Sequence, residues 1–205
     1  MNIKIINNYK TDENTYIVYN DKIAIVIDPG NKTEEILNVS KEINCEIKYI
    51  LLTHCHYDHI EFLDELKNKT GAKVGCGKNC AENVIDSDIN LSTYGLGRTI
   101  IPQKPEIIIN DGEEYDFEGI KVKCIYTPGH TNCSVCYLIN NDIFTGDTLF
   151  LRSCGRWDLP TGSGKTIIKS IKEKLFTLDE NIKVYPGHGK SSDIGYEKKF
   201  NIIVN

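Results

Sequence analysis

The chain is poor in several residues whose scarcity excludes whole classes of function. Among 205 residues there are one Trp, one Met and six Pro, and only three Arg stand beside 21 Lys. No apolar run approaches the roughly 18 residues that a membrane-spanning helix needs, so no span is expected. The opening MNIKIINNYK lacks the apolar stretch and small-residue cleavage site of a secretory signal, and a cytoplasmic protein is expected. Basic runs are also missing. With 29 Asp and Glu against 24 Lys and Arg the net charge is −5, the wrong sign for a surface that neutralises nucleic-acid phosphates. Disulfide scaffolding is not required, because a chain of this length can bury a sizeable apolar core; the eight Cys are expected as free thiols. Length supports a single domain over 1–205.

What is present is β-pattern interrupted by helices. Thr15 to Tyr19 and Ile23 to Ile27 read as strands broken by Asn20-Asp21, and Asp28-Pro29-Gly30 stops the second. Residues 33–43 have helical spacing with acidic residues in the first turn. Ile47 to Leu52 is a further strand, and a helix from about Ile60 to Lys69 is capped by Gly71. The stretch 76–105 has weak periodicity and reads as a surface insertion, a lid over a nearby site. Beyond it, β-patterns return at 106–109, 114–117, 121–126, 136–139 and 143–145, followed by a helix at 164–176, a strand at 182–185 and a short terminal helix. Two β-rich halves with helices outside each predict an α/β fold, a four-layer αββα sandwich.

The five His are placed unevenly. Three lie in Thr53-His54-Cys55-His56-Tyr57-Asp58-His59, directly after a strand. The others end Thr127-Pro128-Gly129-His130 and Tyr185-Pro186-Gly187-His188, and a carboxylate takes a comparable place in Thr145-Gly146-Asp147. Imidazole and carboxylate suit borderline divalent metals, and loops at strand ends let distant segments converge on one point. In an extended or tightly turned segment His54 and His56 project to the same side, while Asp58 and His59 can reach a second position, so the spacing suggests two ions.

THCHYDH resembles the T-H-x-H-x-D-H signature of the metallo-β-lactamase fold hydrolases, and TPGH, TGD and YPGH are similar to that family's later metal-binding turns. The resemblance implies an αββα fold, one metal on His54, His56 and His130, a second on Asp58, His59 and His188, and Asp147 bridging them. Zinc is the first expectation, with iron or manganese as the others. A hydroxide between two such ions would be the nucleophile, with Asp58 both ligand and orienting carboxylate.

Residues 146–162 (GDTLFLRSCGRWDLPTG) and Asn90-Leu91-Ser92 resemble the short single-domain branch of the glyoxalase II-like, hydroxyacylglutathione hydrolase-type enzymes. That implies hydrolysis of a small acyl thioester, with Arg156 and Trp157 as substrate-contact candidates. Arg156 equally suits a structural pair with Asp158. Gly189-Lys190 stands where the resemblance would place a thiol-contacting Glu-Tyr pair, which weighs against glutathione as the carrier. A mononuclear-iron persulfide dioxygenase, by resemblance holding its iron on His54, His130 and Asp147, is the alternative. An RNA-processing phosphodiesterase and a nucleotide-binding module are lesser ones. For the last, Thr161-Gly162-Ser163-Gly164-Lys165-Thr166 has Leu159 where a phosphate-binding loop needs Gly and no strand before it, so it reads as a turn feeding a helix.

Overall fold

The computed structural model describes residues 1–8 and 10–204. In the first half β1 (Asn2–Asn7), β2 (Asn14–Tyr19) and β3 (Ile23–Ile27) form an antiparallel meander. The helix α1 (Thr33–Glu42) then crosses to β4 (Glu46–Leu52), and α2 (Tyr57–Ile60) with α3 (Leu63–Thr70) crosses to β5 (Lys73–Gly77). After α4 (Lys78–Asn83) and α5 (Ser92–Leu96), β6 (Ile107–Ile109) closes the first sheet; β3 to β6 run parallel. The second sheet takes β7 (Glu114–Phe117), β8 (Ile120–Tyr126), β9 (Val135–Ile139) and β10 (Asp142–Gly146) in antiparallel order. A helix α6 (Gly164–Ser170), prolonged by a π-helical turn over Ile171–Leu175, leads to β11 (Lys183–Pro186), parallel to β10. The short β12 (Ser192–Asp193) and α7 (Ile194–Phe200) follow.

Alternation along the strands decides the layering, since successive side chains point to opposite faces. In β3, Ile23, Ile25 and Ile27 enter an apolar layer between the sheets, while Ala24 and Val26 face the helices of the first half. In β9, Val135, Tyr137 and Ile139 join the same central layer, and Cys136 faces α6 and its π-helical extension. Three apolar layers separated by two sheets make the four-layer αββα sandwich that the sequence pattern implies.

The segment 76–105 corrects one expectation. Its first part is core, not insertion: Cys76 and Gly77 complete β5, and Cys80, Ala81 and Val84 are buried against the first sheet from α4 and its end. The remainder contributes Asp88, Leu91, Tyr94 and Gly95 to the wall of a cavity. Asn90 pins it from within, its amide donating to the carbonyls of Val84 and Ile100 at 2.9 Å each and its Oδ1 accepting from the Ser92 amide.

Parallel pairing brings the ends of β3 and β4, and of β10 and β11, to one edge of the sandwich, where the two sheets are tied together. Tyr16 donates its hydroxyl to the Pro186 carbonyl at 2.6 Å, Tyr137 to that of Leu52 at 2.8 Å, and the Asn14 amide to that of Gly187 at 2.8 Å. Every His of the chain emerges at this edge.

Candidate metal centre

The Pro-Gly-His turns have a steric reason. A Cβ at Gly187 would collide with Asp147 Oδ1, and one at Gly129, whose φ is +145°, would strike the backbone of Ile167 in α6. Glycine lets both turns approach their neighbours closely enough for the following His to point inward. The turn before α6 supports the same place: Ser163 donates its amide to the Gly129 carbonyl at 2.8 Å and caps the helix through its side chain. This is the work of the segment that mimics a phosphate loop.

Four of the five imidazoles are held by the ring nitrogen that faces away from the centre. Thr53 donates its hydroxyl to Asp28 Oδ2 at 2.6 Å, so its lone pair accepts from His54 Nδ1 at 3.1 Å. His59 Nδ1 donates to Asp28 Oδ2 at 3.0 Å, His130 Nδ1 to the Arg156 carbonyl at 2.6 Å, and His188 Nδ1 to the Thr11 carbonyl at 2.9 Å. Each anchor fixes the tautomer and leaves Nε2 as a lone pair. The fifth, His56, presents Nδ1 instead, 2.8 Å from His130 Nε2.

The donors form two clusters. His54, His56 and His130 bring their ligand atoms within 4.8 Å of one another, and so do Asp58, His59 and His188. Asp147 lies between them, Oδ2 at 3.4 Å from His130 Nε2 and 3.6 Å from His188 Nε2, Oδ1 at 3.3 Å from His59 Nε2. Asp28, His54 and His59 also come together, but Asp28 is spent on Thr53 and on the outer nitrogen of His59, so its role is to orient.

Two observations test whether a cation fits. His54 Nε2 and Asp147 Oδ1 are buried without a hydrogen-bond partner, a costly state for isolated polar atoms. The lone pairs of His59 Nε2 and His188 Nε2 face each other at 3.3 Å, and only a proton or a cation can lie between them. Without a metal the protons show the strain of the arrangement. Burial pulls the His59 imidazole down, but the charges of Asp147 and Asp58 more than offset this and leave it well above its ordinary value. Burial pushes the Asp147 carboxyl up, yet His59, His130 and His188 bring it well below the usual carboxylate range. His56 goes the other way, lowered to about 4 by burial and by the neighbouring His130. It is neutral and ready to ligate at pH 7. The chemistry of the donor set is that of a divalent metal centre.

The model of the metallo-beta-lactamase superfamily matches residues 9–188. The chain belongs to this superfamily. It is 32% identical over 210 aligned residues to hydroxyacylglutathione hydrolase GloC of Haemophilus influenzae, covering 100% of this chain and 99% of the other. Among solved structures it is similar to the B3 metallo-beta-lactamase BLEG-1, with a TM-score of 0.93, 31% identity and 99% of both chains covered. It is also similar to ETHE1 of Myxococcus xanthus, with a TM-score of 0.85, 26% identity, and 100% of this chain and 85% of the other covered. As a superfamily member the chain is a metallo-hydrolase.

A cavity of about 840 Å³ opens over the two clusters. Its lining includes His56, Asp58, His130, Asp147 and Arg156, but not Trp157. The Trp157 indole packs against Gly164 at the start of α6, so of the two substrate-contact candidates only Arg156 borders the cavity. The Arg156 guanidinium makes the structural pair, with Nε and one Nη donating to Asp158 at 2.7 and 2.8 Å. Its carbonyl is the anchor of His130, a role the side chain's identity could not announce.

Sequence reasoning also missed Glu13, which is fully buried beneath the centre and accepts from Asn31 Nδ2 at 3.0 Å. Burial pushes its carboxyl well above the ordinary value. An acid next to the strand NTYIVY was the available signal. Cys55, between two ligands, is buried and in contact with the Cys133 thiol, which also meets Cys80. These thiols sit in the helix-side layer of the first sheet, and no Cys borders the cavity.

Asp28 gives a prediction at this point. Asp28→Asn is expected to weaken metal binding by about 10- to 100-fold, the usual cost of losing an outer partner of a ligating His. Chelator competition followed by metal analysis measures it, and unchanged affinity would show that His59 needs no anchor.

Proposed function

We propose that the chain hydrolyses small acyl thioesters at a centre of two divalent ions, zinc foremost. One ion would be held by His54, His56 and His130, the other by Asp58, His59 and His188, with Asp147 ligating both. The observation that carries the reading is the placement of Asp147 between the clusters, with Oδ2 near His130 of one and His188 of the other and Oδ1 near His59. The full-length likeness to a hydroxyacylglutathione hydrolase supports the substrate class. When bound, such ions activate water and polarise a carbonyl oxygen.

The residues of the chain supply the rest. Asp58 borders the cavity with Oδ2 at 3.3 Å from His188 Nε2, placed to take up a proton of the attacking water at that carboxylate. The addition breaks the carbonyl π bond, and collapse expels the thiolate, which leaves with that proton as a thiol beside the free carboxylic acid. Asp28, Thr53 and the carbonyls of Thr11 and Arg156 hold the imidazoles still while this occurs.

The second reading, a mononuclear-iron persulfide dioxygenase, is favoured by Cys154-Gly155-Arg156-Trp157-Asp158. One preparation decides between them. Metal analysis should give about two divalent ions per chain, as a dinuclear site requires, and a lactoyl thioester should lose its absorbance only with metal present. One iron per chain, with oxygen uptake and sulfite formed from a persulfide, would overturn the hydrolase reading. A β-lactam serves as the control substrate that BLEG-1 calls for.

A further inference from the structure

The walls of the cavity carry little usable positive charge. Away from the metal ligands they are built from Tyr57, Leu91, Tyr94, Phe150, Leu159 and Pro160, with Asp88 and Arg156 as the charged members. Arg156 is matched by Asp158 through two parallel hydrogen bonds, and Asp88 leaves the wall slightly acidic. The hollow across Phe150, beside His188, offers Lys190, but Asp12 lines it as well. A thiol carrier with carboxylates would shed part of their hydration against aromatic and aliphatic side chains and meet in the main cavity a guanidinium already paired with an acid. A carrier without carboxylates meets no such cost.

Resting on the thioester reading, we propose that the thiol half of the substrate is a carboxylate-free, largely apolar thiol, such as a short N-acylated aminothiol, and not a dicarboxylate peptide thiol. In this assignment Asp158 is a specificity residue that acts through Arg156 by cancelling its charge. Tyr57 and Leu91 form the surface on which the carrier lies. Gly95 helps shape it, since a Cβ there would collide with the Tyr57 ring.

The test uses the metal-loaded enzyme and three thioesters of one acyl group: with glutathione, with glutathione diethyl ester, and with N-acetylcysteamine. The diester separates charge from size. The two carboxylate-free conjugates are expected to show kcat/KM about tenfold above acyl-glutathione, one decade for the unfavourable charge. Asp158→Asn should narrow the gap between acyl-glutathione and its diester about fivefold, the scale of an exposed ion pair, chiefly through KM. If acyl-glutathione is turned over as fast as its diester or faster, the charge assignment is overturned while thioester hydrolysis stands. A diester preference that Asp158→Asn leaves unmoved overturns the role of Arg156 and Asp158. If none of the three is hydrolysed, the thioester reading itself falls and this inference with it.

Discussion

Asp147→Ala is expected to lower thioester hydrolysis about a thousandfold or more, since the charge stabilisation a metal centre provides is worth several kcal/mol and each 1.4 kcal/mol is a decade in rate. The carboxylate stands between the clusters, with His59 on one oxygen and His130 and His188 on the other. Without it three imidazoles lose their shared counter-charge, and the pocket loses the anion that most favours a second cation. Metal content should fall alongside turnover. Asp147→Asn tests the charge at nearly constant shape: it should keep the fold, shown by an unaltered circular dichroism spectrum, and still lose most of the activity. Full metal content with full turnover in the alanine variant would refute the dinuclear assignment.

Stripping the metal should be the next largest effect, this time on stability. The proposed ligands come from both halves: His54, His56, Asp58 and His59 follow β4 of the first sheet, while His130, Asp147 and His188 follow β8, β10 and β11 of the second. An ion held by residues from both sheets adds its binding energy to folding. Ions at a thousand times their dissociation constant contribute about 4 kcal/mol, which for a chain of this size is a drop of about 10 °C in Tm on chelation. Reloading should release protons, because without a cation His59 and His188 are both raised by the nearby carboxylates against the effect of burial. Calorimetric titration in two buffers of different ionisation enthalpy reads that release directly. A Tm indifferent to chelator would mean that the ions do not join the halves.

The layers and the convergence of the candidate ligands were legible for the same reason: both are repeated patterns. Ile23 to Ile27 and Val135 to Ile139 alternate between two buried faces, and each His follows a strand end. The supporting interactions were not legible, because they run through backbone atoms or through partners far along the chain. Asp28 serves Thr53 and His59 from the end of β3, and Arg156 serves His130 with its carbonyl. A long-range contact leaves no local period. Residues 76–84 were misjudged because β5 is short and contains two Gly, which blunts its β signal. Trp157 drew attention as the single Trp, but rarity does not say which way an indole turns.

The division of ligands between the two sheets also orders events during synthesis. The chain emerges from its N-terminus, so the His54, His56 and His130 cluster is complete before His188 has been made. At ordinary translation rates the intervening stretch takes some seconds. The two proposed donor sets are therefore completed in sequence, the first while the nascent chain holds only part of its second sheet.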